Sequence, residues 1–276
     1  MKSLTRGQAI PLLWLALWYL PAFALVTAIA CGWGDDLAHH HLIHSLQGIE
    51  LFHPLGFDAF GRDLLLTTLR GSVLSSLFAF SALLASLILG SVAGTLMAVA
   101  PPTARFASLR ALETLLAFPA LLFSLAWAAI QGPGWGTLAF SLLLATLPGL
   151  IRLVYARARE LLNEDYVLAA RGLGASSWGI ALHHLLPGVL GLCRVKAPTL
   201  FASALIAEAS LSFLGIGAPI GRDSWGTLLA QGKDYLIEAP HLAIGSGFPL
   251  VLTLLSLQSL VSYSRSDKNV KRKSRP

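Results

Sequence analysis

The chain has 276 residues, of which 55% are hydrophobic and 12% charged, with a mean hydropathy of +0.69 and a formal net charge of +6. A water-soluble domain carries roughly a quarter charged residues, so this composition excludes an ordinary soluble protein. The apolar residues gather in blocks of about 20, the length a helix needs to cross a hydrocarbon core about 30 Å thick.

Six such blocks follow one another: Ile10–Ala30, Ser72–Val99, Ala111–Ile130, Trp135–Val154, Ala197–Ile216 and Ala243–Tyr263. Each is expected to span as a helix, the form that satisfies its own backbone polar groups in lipid. The first block shares features with a signal peptide, and Ala28-Ile29-Ala30-Cys31 faintly resembles a lipoprotein cleavage site. Its apolar run is longer than a usual signal core and carries Trp14, Trp18 and Pro21, so a retained span is expected. The spans divide the chain into an N-terminal helix with its outer segment (1–70), a membrane core (71–264) with a long inner loop at 155–196, and a basic tail (265–276).

The outer segment, about 31–70, contains His39, His40, His41 and His44, with His40 and His44 at i, i+4 spacing. Such a cluster can bind a transition metal. No cysteine lies at a ligand spacing and Asp35 and Asp36 form no recognisable site, so it reads as a solvated segment and no metal is expected. Asp58, Gly61, Arg62 and Asp63 then suggest a salt-bridged turn, with Gly61 permitting the bend. Cys31 and Cys193 fall on opposite sides of the membrane, which implies no disulfide.

The inner loop contains DYVLAARGLGASSWGIALHHLLPGVL, residues 165–190. Asn163 is a candidate helix cap, and Glu164 and Asp165 put negative charge in the first turn. Tyr166, Ala169, Ala170 and Leu173 share a face, and its small side chains let another surface approach closely. Gly174 breaks the run, Ser176 or Ser177 can cap a second short helix, and Pro187 is expected to close it. With no nucleophile beside a base and no metal-ligand spacing, the loop reads as a docking element; the alternative is a helix resting on the lipid interface.

Glu208 stands among apolar neighbours in the fifth block. An ionised carboxylate at mid-membrane costs roughly 2.5–3.5 kcal/mol, so it should face the interior or a water-filled path. Two readings stand side by side, a polar lining or gate together with Ser210 and Ser212, and a hydrogen-bonded packing residue. The last twelve residues, RSDKNVKRKSRP, hold six Lys or Arg and suit anionic lipid rather than nucleic acid.

Three ordered stretches carry a resemblance. Asp165-Tyr166-Val167, Ala169-Ala170-Arg171, Leu173-Gly174-Ala175-Ser176 and His184-Leu185-Leu186-Pro187 resemble the EAA loop of permease subunits in bacterial ABC importers. Asp58-Ala59-Phe60-Gly61-Arg62-Asp63, and Ala207-Glu208-Ala209-Ser210-Leu211-Ser212-Phe213-Leu214-Gly215 followed by Ser224-Trp225-Gly226, agree with the dipeptide, oligopeptide and nickel permease family. The similarity covers about residues 56–255. The chain departs from the family pattern at Phe57, usually Thr, at Asp165, usually Glu, at Gly188, often Asn, and at its C-terminal ending.

The resemblance implies an all-α type I importer permease of about six spans in the bacterial inner membrane, non-catalytic; the Lys and Arg distribution below places both termini in the cytoplasm. Glu164, Asp165, Tyr166, Ala169, Ala170, Arg171, Gly174 and Pro187 would form the coupling region that seats on a cytosolic ATPase subunit. The implied partners are a homologous permease, two ATPase subunits and an extracytoplasmic solute-binding protein. The chain has no GxxxxGK[ST] phosphate loop; the resemblance gives ATP to the partner subunits and leaves no cofactor bound here. The implied substrate is a peptide or related small solute, with nickel or a metal chelate as the family's alternative. A proton-coupled secondary transporter would show several intramembrane ionisable residues, and a membrane-embedded enzyme a catalytic dyad within the spans.

Lys and Arg set the expected orientation. Sixteen of the twenty fall inside when both termini do: Lys2, Arg6, Arg105, Arg110, Arg152, Arg157, Arg159, Arg171, Arg194, Lys196 and the six of the tail. Arg62, Arg70, Arg222 and Lys233 fall outside. Reporter fusions near residues 45 and 230 should therefore read as external, and those near 105, 175 and 270 as internal. An external signal at 175 overturns this topology.

Overall fold

The computed structural model describes residues 6–30, 44–217 and 222–273. Among these residues the chain is helical, and its one strand-like feature is an isolated bridge between Phe57 and Asp63. The helices are α1 (Arg6–Ala30), α2 (Leu64–Val99), α3 (Pro102–Ala117), α4 (Ala120–Gln131), α5 (Trp135–Leu161), α6 (Asp165–Gly172), α7 (Ser177–Ile180), α8 (Leu186–Phe213), α9 (Trp225–Asp234) and α10 (Pro240–Lys273). Five are long and apolar enough to cross a membrane when α7 and α8 count as one, and a sixth if α3 and α4 together form one span.

Two expectations about the spans are corrected. The block Ala111–Ile130 is not one straight helix, because α3 and α4 meet at 86°. Proline disfavours the helical region for the residue before it; Phe118, before Pro119, is extended at φ −91°, ψ 133° and ends α3. Nor does Pro187 close a separate helix. A π turn at Ala181–Leu185 joins α7 to α8, and the helix runs unbroken over Ser177–Phe213. A proline ring crowds the carbonyl four residues back; here that residue is His183, within the wider π turn.

The chain forms two compact units. One contains Ala79–Gln131 and Ala139–Ala207. In it Ser86, Gly90, Gly94 and Ala98 of α2 recur every four residues and meet Thr146, Leu150, Val154 and Ala158 of α5, spaced alike. Ser86 and Thr146 share a 2.6 Å hydrogen bond. A Cβ on Gly90 would lie 2.9 Å from Leu150, and one on Gly94 2.8 Å from both the Ile151 carbonyl oxygen and Val154 Cβ. Lipid tails are as apolar as leucine, so helices associate there through close packing and interhelical hydrogen bonds. The core continues from Val154 through Leu161, Leu162, Val167, Ile180, Leu185 and Val189.

The other unit contains Met1–Phe78, Gly132–Leu138 and Glu208–Pro276. There α10 packs against α1 and α9. Tyr19 of α1 hydrogen-bonds Ser76 at 2.8 Å and sets its ring edge-on to the buried Trp225, with centroids 6.5 Å apart. Phe78 and Trp135 stack at 4.7 Å. A Cβ on Gly232 would lie 2.8 Å from the Ala243 amide nitrogen, so α9 and α10 touch at backbone distance.

Overpacking a fitted contact costs about 1–3 kcal/mol. Gly94→Leu should therefore lower the thermal unfolding temperature in detergent clearly, whereas Gly149→Ala, with open space around its Cβ position, should not. Equal unfolding temperatures for the two variants would remove the α2–α5 contact as a determinant of stability.

Candidate functional site

Each end of α6 is fixed by local chemistry. Asn163 does not cap α6, contrary to the sequence expectation. Glu164 is the N-cap residue and makes no side-chain cap, while the Asn163 amide donates back to the Arg159 carbonyl at 3.4 Å. The carbonyl four residues upstream thus takes the Asn163 side chain. At the other end Gly174, at φ +89°, donates to the Arg171 carbonyl and Ala175 to the Ala170 carbonyl, both at 3.0 Å. This pairing ends a helix in the left-handed conformation that glycine adopts without strain. Ser176 then caps α7, its hydroxyl accepting the Gly179 amide at 3.1 Å.

Val167 holds α6 to the unit's core from one side and is fully buried. The opposite face is open. Tyr166 and Ala169 are exposed, Ala170 is half-buried, and Leu173 is 90% exposed at the turn. Trp178 and Leu182 extend the apolar surface onto the next helix. Glu164, Asp165, Arg171, Gly174 and Pro187 are also exposed. Tyr166 is tilted against the His184 ring, with centroids 6.1 Å apart.

The Asp58–Asp63 turn is built in the other unit. Asp58 is 1% exposed; its Oδ1 accepts the amides of Phe60 and Arg62, and its Oδ2 takes the Arg62 guanidinium at 2.7 Å. Gly61 makes the bend at φ +71°. Arg62 extends a second arm to Asp223 at 3.1 Å, tying the turn to the segment before α9. Asp63 does not share in this pair. Its Oδ1 accepts the Leu66 amide and caps α2, while Oδ2 meets His53 Nδ1 at 2.5 Å. His53 and His44 both pack on the Phe57 ring, and His241 reaches the Phe57 carbonyl at 3.3 Å. The His39–His41 part of the histidine cluster, and Cys31, lie outside the described residues; Cys193 is a free, buried thiol.

In the same unit, beyond Asp223, the chain turns into α9 beside Glu208. Glu208 is 1% exposed, and the Ser212 hydroxyl donates to its Oε1 at 2.7 Å. The hydroxyls of Ser75 and Ser224 approach the same carboxyl, and Oε2 is left without a closed hydrogen bond. Ser75 Oγ already accepts the Trp225 amide at 3.1 Å, and Ser224 Oγ accepts the Thr227 amide at 3.3 Å. Ser224 is also the N-cap of α9 in a closed capping box, which sets the positive end of that helix dipole beside the acid. Gly226 is required by the same contact, since a Cβ there would collide with the Ala209 carbonyl oxygen. Ser210 is half-buried and Ser212 buried.

Sequence reasoning missed Asp223, Ser75 and His53 altogether. The Arg62–Asp223 and Ser75–Trp225 contacts join residues 161 and 150 positions apart, and no local pattern announces such pairs. The motif Ser224-Trp225-Gly226 was a signal, but its link to Glu208 was not.

With this geometry in place, comparisons with known proteins converge. The family described as binding-protein-dependent transport system inner membrane component matches residues 86–272. A Brucella suis protein provisionally named a peptide transport system permease is 38% identical over 212 residues, 76% of this chain and 70% of its own. A di/tripeptide transport system permease protein of Pseudomonas aeruginosa is 34% identical over 212 residues, 77% and 70% of the two chains. A glutathione transport system permease protein of Pectobacterium atrosepticum is 31% identical over 214 residues, 78% and 71%.

Removing the acceptor from the Glu208 cluster leaves buried hydroxyl donors unmatched, at about 1–3 kcal/mol for each group left unsatisfied. Glu208→Leu should lower the unfolding temperature strongly, and Glu208→Gln, which keeps one acceptor oxygen, should lower it less. If the leucine variant melts no lower than the glutamine variant in detergent, the hydroxyls are not anchored on Glu208.

Proposed function

This chain belongs to the family of binding-protein-dependent transport system inner membrane components, and on that premise we propose that it carries a peptide substrate inward under the drive of cytosolic ATPase subunits. It is an all-α, multi-pass inner-membrane permease of an ABC importer. The family is a transport component and is generally non-catalytic. In the proposed assembly it pairs with a homologous permease, two ATPase subunits and an extracytoplasmic binding protein, with both termini in the cytoplasm. ATP is then consumed by the partners, and no cofactor binds this chain.

The observation that carries the coupling reading is the open face of α6. Val167 anchors one side of the helix in the core, and Tyr166, Ala169 and Leu173 present the other side to solvent. A helix of eight residues is too short to be stable alone; here the Gly174 turn, the Ser176 cap and the Val167 contact hold it in place. A rigid, exposed, small-and-apolar surface is what a groove on a partner can grip. The substrate reading rests on the relatives, named for peptide, di/tripeptide and glutathione transport. Asp58, Arg62 and Asp223 brace the outer mouth, and Glu208 with Ser212 braces α8 against α9; both serve the path by holding its walls.

Leu173 is the most direct probe, since at 90% exposure it contributes little to the fold. Fully burying a leucine is worth about 1.5–3 kcal/mol, so Leu173→Asp should weaken ATPase association roughly ten- to 150-fold while leaving the unfolding temperature unchanged. Ala170→Trp should act in the same direction through added volume, and Ser177→Ala should be neutral. Unchanged substrate-stimulated ATP hydrolysis in reconstituted complexes of both Leu173→Asp and Ala170→Trp would leave α6 as an interfacial helix only.

A further inference from the structure

Two turns present apolar side chains that α6, the Asp58–Asp63 turn and the Glu208 cluster leave unused, and both belong to the unit that holds α9 and α10. In the first, the amides of Glu50 and His53 each donate to the other's carbonyl at 3.1 Å and close a two-residue tip. Leu51 and Phe52 form that tip, 92% and 85% exposed. The second lies between α9 and α10, where Ile237 is 96% and Leu236 56% exposed. Neither turn is loose. The Gly56 amide donates to the His53 carbonyl and the Phe57 amide to the Gln47 carbonyl, both at 2.9 Å, and Asp63 holds the His53 ring. Leu55 and Tyr235, one from each turn, pack on the same small core of Leu64, Ala239 and Leu242.

The depth of these turns follows from α10. Pro240–Leu260 is long and apolar enough to cross a membrane. Its exposed side chains Ile244, Phe248, Val251 and Leu255 recur at i+4, i+7 and i+11 and make one apolar face. Leu55 lies against the same helix at Gly245, where a Cβ would sit 3.6 Å from Leu55 Cδ1. Gly245 is five residues into the span, about 7.5 Å along its axis. Phe52 is three residues from Leu55, and an extended chain covers at most about 11 Å in that distance. Even aimed straight out of the bilayer, the tip ends roughly 3–4 Å beyond the first residue of the span. The headgroup layer outside the hydrocarbon is roughly 5–7 Å deep, so the tip stays within it. Ile237 rides on a closed turn at the same edge, because the Ala239 amide returns to the Tyr235 carbonyl at 2.7 Å just before Pro240.

We propose that the two turns anchor the protein in the lipid surface, with Leu51, Phe52 and Ile237 inserted at the boundary between headgroups and acyl chains. A water-soluble partner would have to enter the headgroup layer to reach the tip. Glu50 and Glu238, the exposed acids beside the apolar residues, stay with the headgroups and water, so buried apolar area and not charge drives the insertion. Interfacial anchors set the tilt and rotation of the spans they flank. Here both turns share the core on Leu64, the first residue of α2, with Ala239 and Leu242 at the start of α10. The anchor therefore fixes how these two helices enter the bilayer together. The inference rests on the membrane assignment alone, and on neither the transported solute nor the ATPase subunits.

The test uses the full-length chain in phosphatidylcholine nanodiscs, alone and in the assembled importer, with Cys31→Ser and Cys193→Ala removing the native thiols. Spin labels are placed on Phe52→Cys and Ile237→Cys. Phe248→Cys, exposed on the α10 face, is the lipid reference. Glu160→Cys, at a side chain 65% exposed, is the water reference and is measured in the lone chain. Collisions with oxygen, which partitions into lipid, are compared with collisions with a water-soluble nickel chelate. Positions 52 and 237 should give the lipid-type ratio both alone and assembled. Adding Leu51→Asp should favour the withdrawn tip at least about ten-fold, returning position 52 to the water-type ratio and leaving position 248 unchanged. A water-type ratio at 52 or 237 before that change overturns the anchor. Loss of both kinds of collision on assembly means that a partner subunit covers the turns, and overturns it equally. A lipid-type ratio at position 248 keeps either failure distinct from a failure of the membrane assignment. If the cysteine-substituted chain does not insert, the native sequence decides, using phosphatidylcholine with a photoreactive group at the glycerol end of its acyl chain. Labelling of peptides containing Leu51–Phe52 and Leu236–Ile237 upholds the anchor, and absence of label there overturns it.

Discussion

In hydrocarbon a helix gains nothing by hiding leucine, so the folded state depends on how closely helices can approach. Ser86, Gly90, Gly94 and Ala98 give α2 a nearly flat strip, and α5 lies on it at distances a single Cβ would block. Dispersion between closely fitted surfaces is small per atom pair but large in sum. That contact also decides where α5 can continue. Past Val154 and Ala158 it runs into Leu161 and Leu162, which belong to the same core as Val167, Ile180 and Leu185. The short helix α6 therefore stands on a base whose geometry is set by Gly90 and Gly94 of α2.

The two buried carboxyls draw polar groups around them. Asp58, at 1% exposure, accepts two backbone amides and a guanidinium. Glu208, equally buried, accepts the Ser212 hydroxyl and sits beside Ser75 and Ser224, whose oxygens accept amides, at the N-terminus of α9. Removing one partner of a buried charged pair costs far more than the pair contributes as a whole. These two carboxyls consequently act as fixed joints. Asp58 holds Arg62, which reaches Asp223, and Glu208 joins α8 to α2 and α9; both links span a sequence distance that no helix could bridge by itself.

One local solution appears twice. At Leu173-Gly174-Ala175 and again at Leu214-Gly215-Ile216 a helix ends through a left-handed glycine and paired backward hydrogen bonds. In the first case the turn leaves Leu173 outside and draws Ala175 toward the core; in the second it buries Ile216, whose amide reaches the Leu211 carbonyl. The same backbone device thus builds an exposed knob in one place and a closed end in the other. The difference lies in what each flanking side chain meets, not in the turn.

Most of the spans, the short helix α6 with its exposed face, and the helix stop at Gly174 were legible in the sequence, because each depends on residues within a few turns of one another. Hydropathy over about twenty residues, small residues at i, i+3 and i+4, and a glycine after an apolar run are local statements about helix energetics. What the sequence misread was also local, but contested. Asn163 has the chemistry of a cap and spends its amide on the Arg159 carbonyl instead. Pro187 has the chemistry of a stop, yet a π turn absorbs its ring and the helix goes on. Pro119 breaks a block whose apolar content alone reads as a single span. Only the tertiary structure decided that Arg62 meets Asp223, that Ser75 and Ser224 converge on Glu208, and that Trp225 receives the edge of Tyr19. Hydropathy counts how much of a residue's surface avoids water and carries no information about which distant group will satisfy a donor. That choice is made when the helices pack.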